Sequence, residues 1–159
     1  MIQIKKILYA SSLSDGSKAV YEYAIQMALQ NNAEIIFVHA ISPMSEMSKF
    51  YINQYIPQHL IQKVRQEGEQ KIIDEMRERV NQFNQEELSR IAPGQQVSLR
   101  KIVAYGEHSR VILEIADKEN VDMIVMGTAK NRDDISKSYT TREVLKKAKV
   151  PVFVVPIRT

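Results

Sequence analysis

The chain contains no cysteine, which removes a disulfide framework, a thiolate metal site and a cysteine nucleophile from consideration. No stretch approaches the ~18 consecutive apolar residues of a membrane span, and the opening MIQIKKILYASS has no apolar run of signal-peptide length. A cytoplasmic protein is expected. Charge of one sign is not concentrated anywhere: 22 Lys and Arg are interleaved with 19 Asp and Glu, for a formal net charge of +3. The sequence pI is near 9.0, but without a basic block there is no footprint for nucleic acid, and none is expected as a partner. Histidine is scarce as well. His39, His59 and His108 share no H-x-x-x-H or H-E-x-x-H spacing, so no metal site is expected.

What is present is alternation. At 159 residues the chain suits one domain, 1–159, able to bury roughly 70% of its unfolded surface. IKKILYA at 4–10 reads as a strand followed by the turn-like SSLSDGS. From Ser17 the apolar residues Val20, Ala24, Met27 and Ala28 take helical spacing, widened by Tyr21 and Ile25, with Ser14, Asp15 and Ser17 as N-cap choices. EIIFVHA at 34–40 is apolar enough for a strand buried on both faces. Residues 41–60 show no clean period and read as a loop with at most one helical turn. A long amphipathic helix then covers about 60–88, with Gly68 a local weak point. Strand 97–105, a helix from Ser109 through Lys118, strand VDMIVMG, helix TREVLKKA and strand VPVFVVP complete the series. Five strands separated by four helices predict an α/β domain, a parallel sheet with helices on both faces, because each parallel pair needs a crossover.

In such sheets ligands bind beyond the carboxyl ends of the strands. The loops there are SSLSDGS, HAISPM, YGEHS and GTAKNRDD. No catalytic constellation emerges from them, and the protein is expected not to be an enzyme. His39 reads as a structural histidine at a strand end and His108 as a solvated first-turn residue. Asp133 and Asp134, adjacent in sequence, read as solvated carboxylates in preference to a magnesium site. Ser11, Ser12 and Ser14 lack the G-x-S-x-G elbow of a serine nucleophile.

The runs KKILYASSLSDGSKAVYEYAIQMALQNNAEIIFVHAISP, GEHSRVILEIADKENVDMIVMG and REVLKKAKVPVFVVP resemble the universal stress protein family. The resemblance covers nearly the whole chain except 44–95. It implies a Rossmann-like domain with strand order 3-2-1-4-5 and a homodimer formed through the last strand, here Val150 to Pro156. Many members bind ATP through a loop reading Gly, two residues, Gly, nine residues, then Gly and Ser or Thr. The family's nucleotide positions carry over to Ser12, Ala40, Gly127, Thr128, Lys130, Thr140 and Thr141.

The loop frame is intact here, but Lys130 and Thr140 stand where two of three glycines are usual. A side chain cannot restore the close backbone approach that glycine allows. Ser12 stands where nucleotide-binding members carry an aspartate, and a hydroxyl does not supply a carboxylate's paired acceptors. The expectation is a non-enzymatic stress-response dimer with weak or absent ATP binding and no resident cofactor. The alternatives are a nucleotide sensor or weak ATPase in which Lys130, Lys137, Thr140 and Thr141 hold phosphate by side chains, and an adaptor that engages a partner protein through the Met- and aromatic-rich 44–60 segment.

Overall fold

The computed structural model describes residues 1–14, 16–42, 58–128 and 135–157. Its elements alternate without exception: β1 (Lys6–Ser11), α1 (Ser17–Asn31), β2 (Glu34–Ile41), α2 (Gln58–Leu88), β3 (Ser98–Tyr105), α3 (His108–Lys118), β4 (Met123–Gly127), α4 (Ile135–Lys147) and β5 (Val152–Val155). The strands form one parallel sheet in the order β3-β2-β1-β4-β5, as the alternation and the family resemblance both require. Because β2 and β3 extend the sheet on one side of β1 while β4 and β5 extend it on the other, the strand order reverses at the carboxyl end of β1. That end is where an open α/β sheet has room for a ligand.

The period-2 alternation of each strand divides the core into two layers. Ile7, Tyr9, Ile35 and Phe37 face α1 and α2, where they meet Val20, Tyr21, Ala24 and Val80. Leu8, Ile36, Val38 and Ile124 face the other way, toward Val111, Ile112 and Ala116 of α3 and Val144 of α4. The first layer is aromatic: Tyr9 and Tyr21 have ring centroids 4.6 Å apart, and Phe37 lies 5.1 Å from Tyr9 and 5.3 Å from Tyr21. Burying Phe37 alone is worth about 1.5–3 kcal/mol. β2 is closed on both faces, with its six central residues all buried, as its unbroken apolar run requires.

Several local expectations need correction. None of the serines offered as caps for α1 caps it: the N-cap is Gly16, without a side-chain cap bond, and Ser17 is already helical. The Ser17 amide is instead satisfied by the Ser14 carbonyl at 2.9 Å. Asp15 lies outside the described residues. α4 starts at Ile135, six residues before the expected TREVLKKA, so Thr140 and Thr141 sit within the helix and not at its start. α2 runs unbroken for 31 residues, through Gly68. Two polar side chains on that helix, Asn84 and Glu87, are each only 2% exposed, and the apolar pattern alone did not mark them as core. Residues 43–57, most of the irregular segment, lie outside the described residues. Among the described residues, no helix is long and apolar enough to cross a membrane.

Candidate functional site

A cavity of about 320 Å³ opens at the reversal point of the sheet. It is built from the ends of three adjacent strands. β1 contributes Ser11, and the register pairs that residue with His39 of β2. On the other side of β1 lies β4, whose last residue, Gly127, is paired with Val155 of β5.

The loop after β1 turns through Leu13 at φ +52°, a conformation that costs a branched side chain energy and is held by its surroundings. Ser11 Oγ accepts the Leu13 amide at 3.2 Å. Three hydroxyls then knot the loop to the start of α1. Ser12 Oγ is 2.7 Å from Ser14 Oγ and 3.0 Å from Ser17 Oγ, and the Ser14 amide donates to Ser17 Oγ at 2.9 Å. Beneath them the Tyr9 hydroxyl donates to the Ser17 carbonyl at 3.1 Å. Burial holds the Tyr9 phenol well above its ordinary range, so it remains a neutral donor.

β2 supplies His39, which is 8% exposed. Its Nδ1 lies 3.2 Å from the Ser11 carbonyl oxygen, and because that oxygen only accepts, Nδ1 carries the proton. Burial, with the neighbouring His108 and Arg79 adding like charge, lowers the His39 pKa below 6.5. The ring is therefore neutral near pH 7. His108 opens α3, and its Nε2 shares a hydrogen bond of 3.0 Å with Ser42 Oγ. That helix is capped by Glu107, whose carboxylate accepts from the amides of Ser109 and Arg110. Burial opposes ionisation of Glu107, yet these bonds hold its pKa below the ordinary value.

On the β4 side, Gly127 is present for space. A Cβ there would fall 2.8 Å from Ile157 Cδ1 and 2.9 Å from Val20 Cγ2. It does not adopt a positive φ; among the described residues only Gly94 and Gly106 are glycines that do. The next residue is already committed. The Thr128 amide donates to the Val155 carbonyl at 3.0 Å, and Thr128 Oγ1 accepts the Ile157 amide at 2.9 Å.

Of the seven positions carried over from sequence, Ser12, Ala40, Gly127, Thr128, Thr140 and Thr141 all line this cavity. Lys130 lies outside the described residues, as do Asp133 and Asp134, and so does the side chain of Lys137. Both histidines singled out as structural or solvated, His39 and His108, line the cavity too. The signal available for His39 was its place at the carboxyl end of a central strand, opposite the loop of the neighbouring strand. Among the described lining residues there is no Asp, Glu, Lys or Arg. Among the described residues, no three potential metal ligands cluster.

The sequence pattern of the universal stress protein family matches residues 3–156. The chain belongs to the universal stress protein family. Universal stress protein MJ0577 of Methanocaldococcus jannaschii is 23% identical over 156 residues, covering 97% of this chain and 96% of that one. The solved structure of MJ0577 superposes with a TM-score of 0.72 at 22% identity, covering 98% of this chain and 97% of that one. The universal stress protein UspA from Lactobacillus plantarum follows at 0.65 and 20% identity, covering 98% and 99%. A universal stress protein solved in complex with cAMP gives 0.59 at 16% identity, with the same coverage. These likenesses establish a universal stress protein fold, in which the sheet, its strand order and its four helices are shared.

Proposed function

We propose that this chain is a non-enzymatic stress-response protein of the cytoplasm, acting as a homodimer, whose cavity takes an uncharged or lightly charged nucleoside-sized ligand and holds ATP weakly or not at all. The observation that carries this reading is the chemistry of the cavity wall. Its described side chains are hydroxyls, two imidazoles and apolar groups, with no cation to meet a triphosphate. Triphosphates are held by charge-assisted bonds and by runs of free backbone amides. Here the amide after Gly127 is used by Val155. The related structure with cAMP supports a nucleotide much less charged than ATP as the kind of ligand that suits such a site.

The non-enzymatic reading is supported by the serines of the first loop, whose hydroxyls bond one another instead of a base. No carboxylate among the described lining residues orients either imidazole. The dimer is supported by β5, which ends the sheet with an unpaired backbone edge among the described residues. Beside it the exposed rings of Tyr23 and Phe153 lie 5.7 Å apart. A bare apolar edge invites pairing with a second copy.

Mass spectrometry of the small molecules released from natively purified protein tests the reading. It predicts no stoichiometric ATP; ATP at one per chain would reject it.

A further inference from the structure

Sulfur in this chain is methionine sulfur alone, since there are seven methionines and no cysteine. Reversible oxidation at sulfur therefore falls to the thioethers. Among the described residues the methionines differ in what surrounds them. Met1 is fully exposed, whereas Met123 and Met126 are buried. Met27 is half-buried and packs against the aromatic layer of the core. Met76 is half-buried too, yet it belongs to neither core layer and instead lines the cavity from α2.

The sulfur of Met76 has a cation beside it. Arg79, one turn on along α2, donates from Nη1 to Met76 Sδ at 3.8 Å. The Arg79 side chain is exposed, and this is the one bond it makes among the described residues, with no carboxylate against it. A guanidinium carries five N–H donors in a planar fork, so donors remain for a second acceptor placed next to the sulfur. A thioether sulfur has two lone pairs, and Nη1 engages only one of them.

The pair suits reaction with a peroxide. As the O–O bond breaks, one oxygen bonds to the free sulfur lone pair. The other departs with negative charge building on it, takes the proton of the first oxygen and leaves as water or, from an organic hydroperoxide, as an alcohol. Sulfur is oxidised by two electrons and the peroxide is reduced by the same two. A donor aimed at the departing oxygen lowers the barrier, because that charge exists only in the transition state. The product sulfoxide carries a strong acceptor oxygen, to which Arg79 can donate a charge-assisted bond.

We propose that Met76 is a peroxide-sensitive modification site on the cavity wall, with Arg79 as the residue that positions the oxidant. Oxidation turns an apolar thioether into a polar sulfoxide, and methionine sulfoxide reductase returns it. Because Met76 packs in neither core layer, the change falls on the cavity and not on the fold. Its effect on a bound ligand rests on the reading of the cavity as a ligand site; the oxidation itself does not.

The test is a hydrogen peroxide time course on the full chain without ligand, read by mass spectrometry of tryptic peptides. Peptide 72–77 carries Met76 alone, and fragment ions isolate Met27 within peptide 19–49. Met76 is expected to oxidise faster than Met27, although both are half-buried. Arg79→Leu is expected to slow Met76 by about tenfold, the kinetic equivalent of one hydrogen bond to the departing oxygen, and to leave Met27 unchanged. Arg79→Lys, which keeps a cationic donor, should retain most of the rate. Thermal melts establish that both variants fold, and the oxidised wild type should melt with the unmodified chain. Met76 oxidising no faster than Met27, or at an unchanged or higher rate in Arg79→Leu, would overturn the proposal. A guanidinium that merely packs over the sulfur would shield it, and its removal would speed oxidation. The reading of the cavity as a nucleoside site is tested separately, by adenosine binding.

Discussion

Ile157 and Thr128 lock the chain end onto the rim of the cavity: the Ile157 amide donates to Thr128 Oγ1 at 2.9 Å, and the Ile157 side chain lies against Gly127. Gly127 thus has no room for a side chain among its own neighbours. Gly127→Ala should destabilise the fold by about 1–3 kcal/mol through overpacking. Adding Ile157→Ala should recover only part of the loss, because the branched Val20 side chain still meets the new methyl. Urea midpoints of the two variants check this. Full recovery would mean that Ile157 alone sets the space.

His39 gives a pH dependence with a definite sign. Burial lowers its pKa in the folded chain below 6.5, the ordinary value expected once unfolded. At higher pH both states hold a neutral ring and its contribution is fully present. As the pH falls below 6.5 the unfolded chain takes up the proton first, so stability declines until the folded-state pKa is passed. His39→Gln should therefore lose less stability than wild type between about pH 7.5 and about pH 5.5. Parallel losses in the two proteins would show that His39 does not contribute to the acid limb.

Tyr21 and Asn84 join α1 to α2 across the aromatic layer, with the Tyr21 hydroxyl donating to Asn84 Oδ1 at 2.6 Å. Asn84 in turn donates through Nδ2 to the Val80 carbonyl at 2.9 Å. Tyr21→Phe leaves the buried amide oxygen without a donor and should cost about 1–3 kcal/mol. Pairing it with Asn84→Leu removes both polar partners and should restore most of the loss, a coupling that a double-mutant cycle measures directly.

Phe153 stands on β5 at the sheet edge, exposed, its ring tilted against that of Tyr23. If β5 pairs with its copy, wild type should scatter light as twice the chain mass of 18.3 kDa. Phe153→Asp should shift it toward one chain without lowering the thermal midpoint of the monomer, since a charge on a paired edge repels its symmetry mate. A wild-type monomer at micromolar concentration would remove the dimer from the account.

The alternation of apolar strands and amphipathic helices made the sheet and its layers legible. β2 illustrates this: a continuous apolar run has no other place than the middle of a parallel sheet, and all six of its central residues are buried. The family resemblance carried over Ser12, Ala40, Gly127 and Thr128, and their places at or beside strand ends bring them to one cavity. What local pattern could not carry was partnership across the chain. Asn84 is core because Tyr21, 63 residues earlier, donates to it. Which partner a strand-end histidine such as His39 takes has no local sign. That depends on Ser11, which meets it only through the register of β1 and β2. The start of α4 was misplaced because ISKS carries no strong helix signal of its own, and the turn forms as part of a longer helix packed through Val144.

The most direct measurement is a calorimetric comparison of adenosine with magnesium-ATP on the same preparation of the full chain. The described wall of the cavity offers the phosphates no cation. The account predicts that adenosine binds and that ATP binds no more tightly. ATP binding more than about tenfold tighter than adenosine, equivalent to 1.4 kcal/mol or more gained from the phosphates, would contradict it.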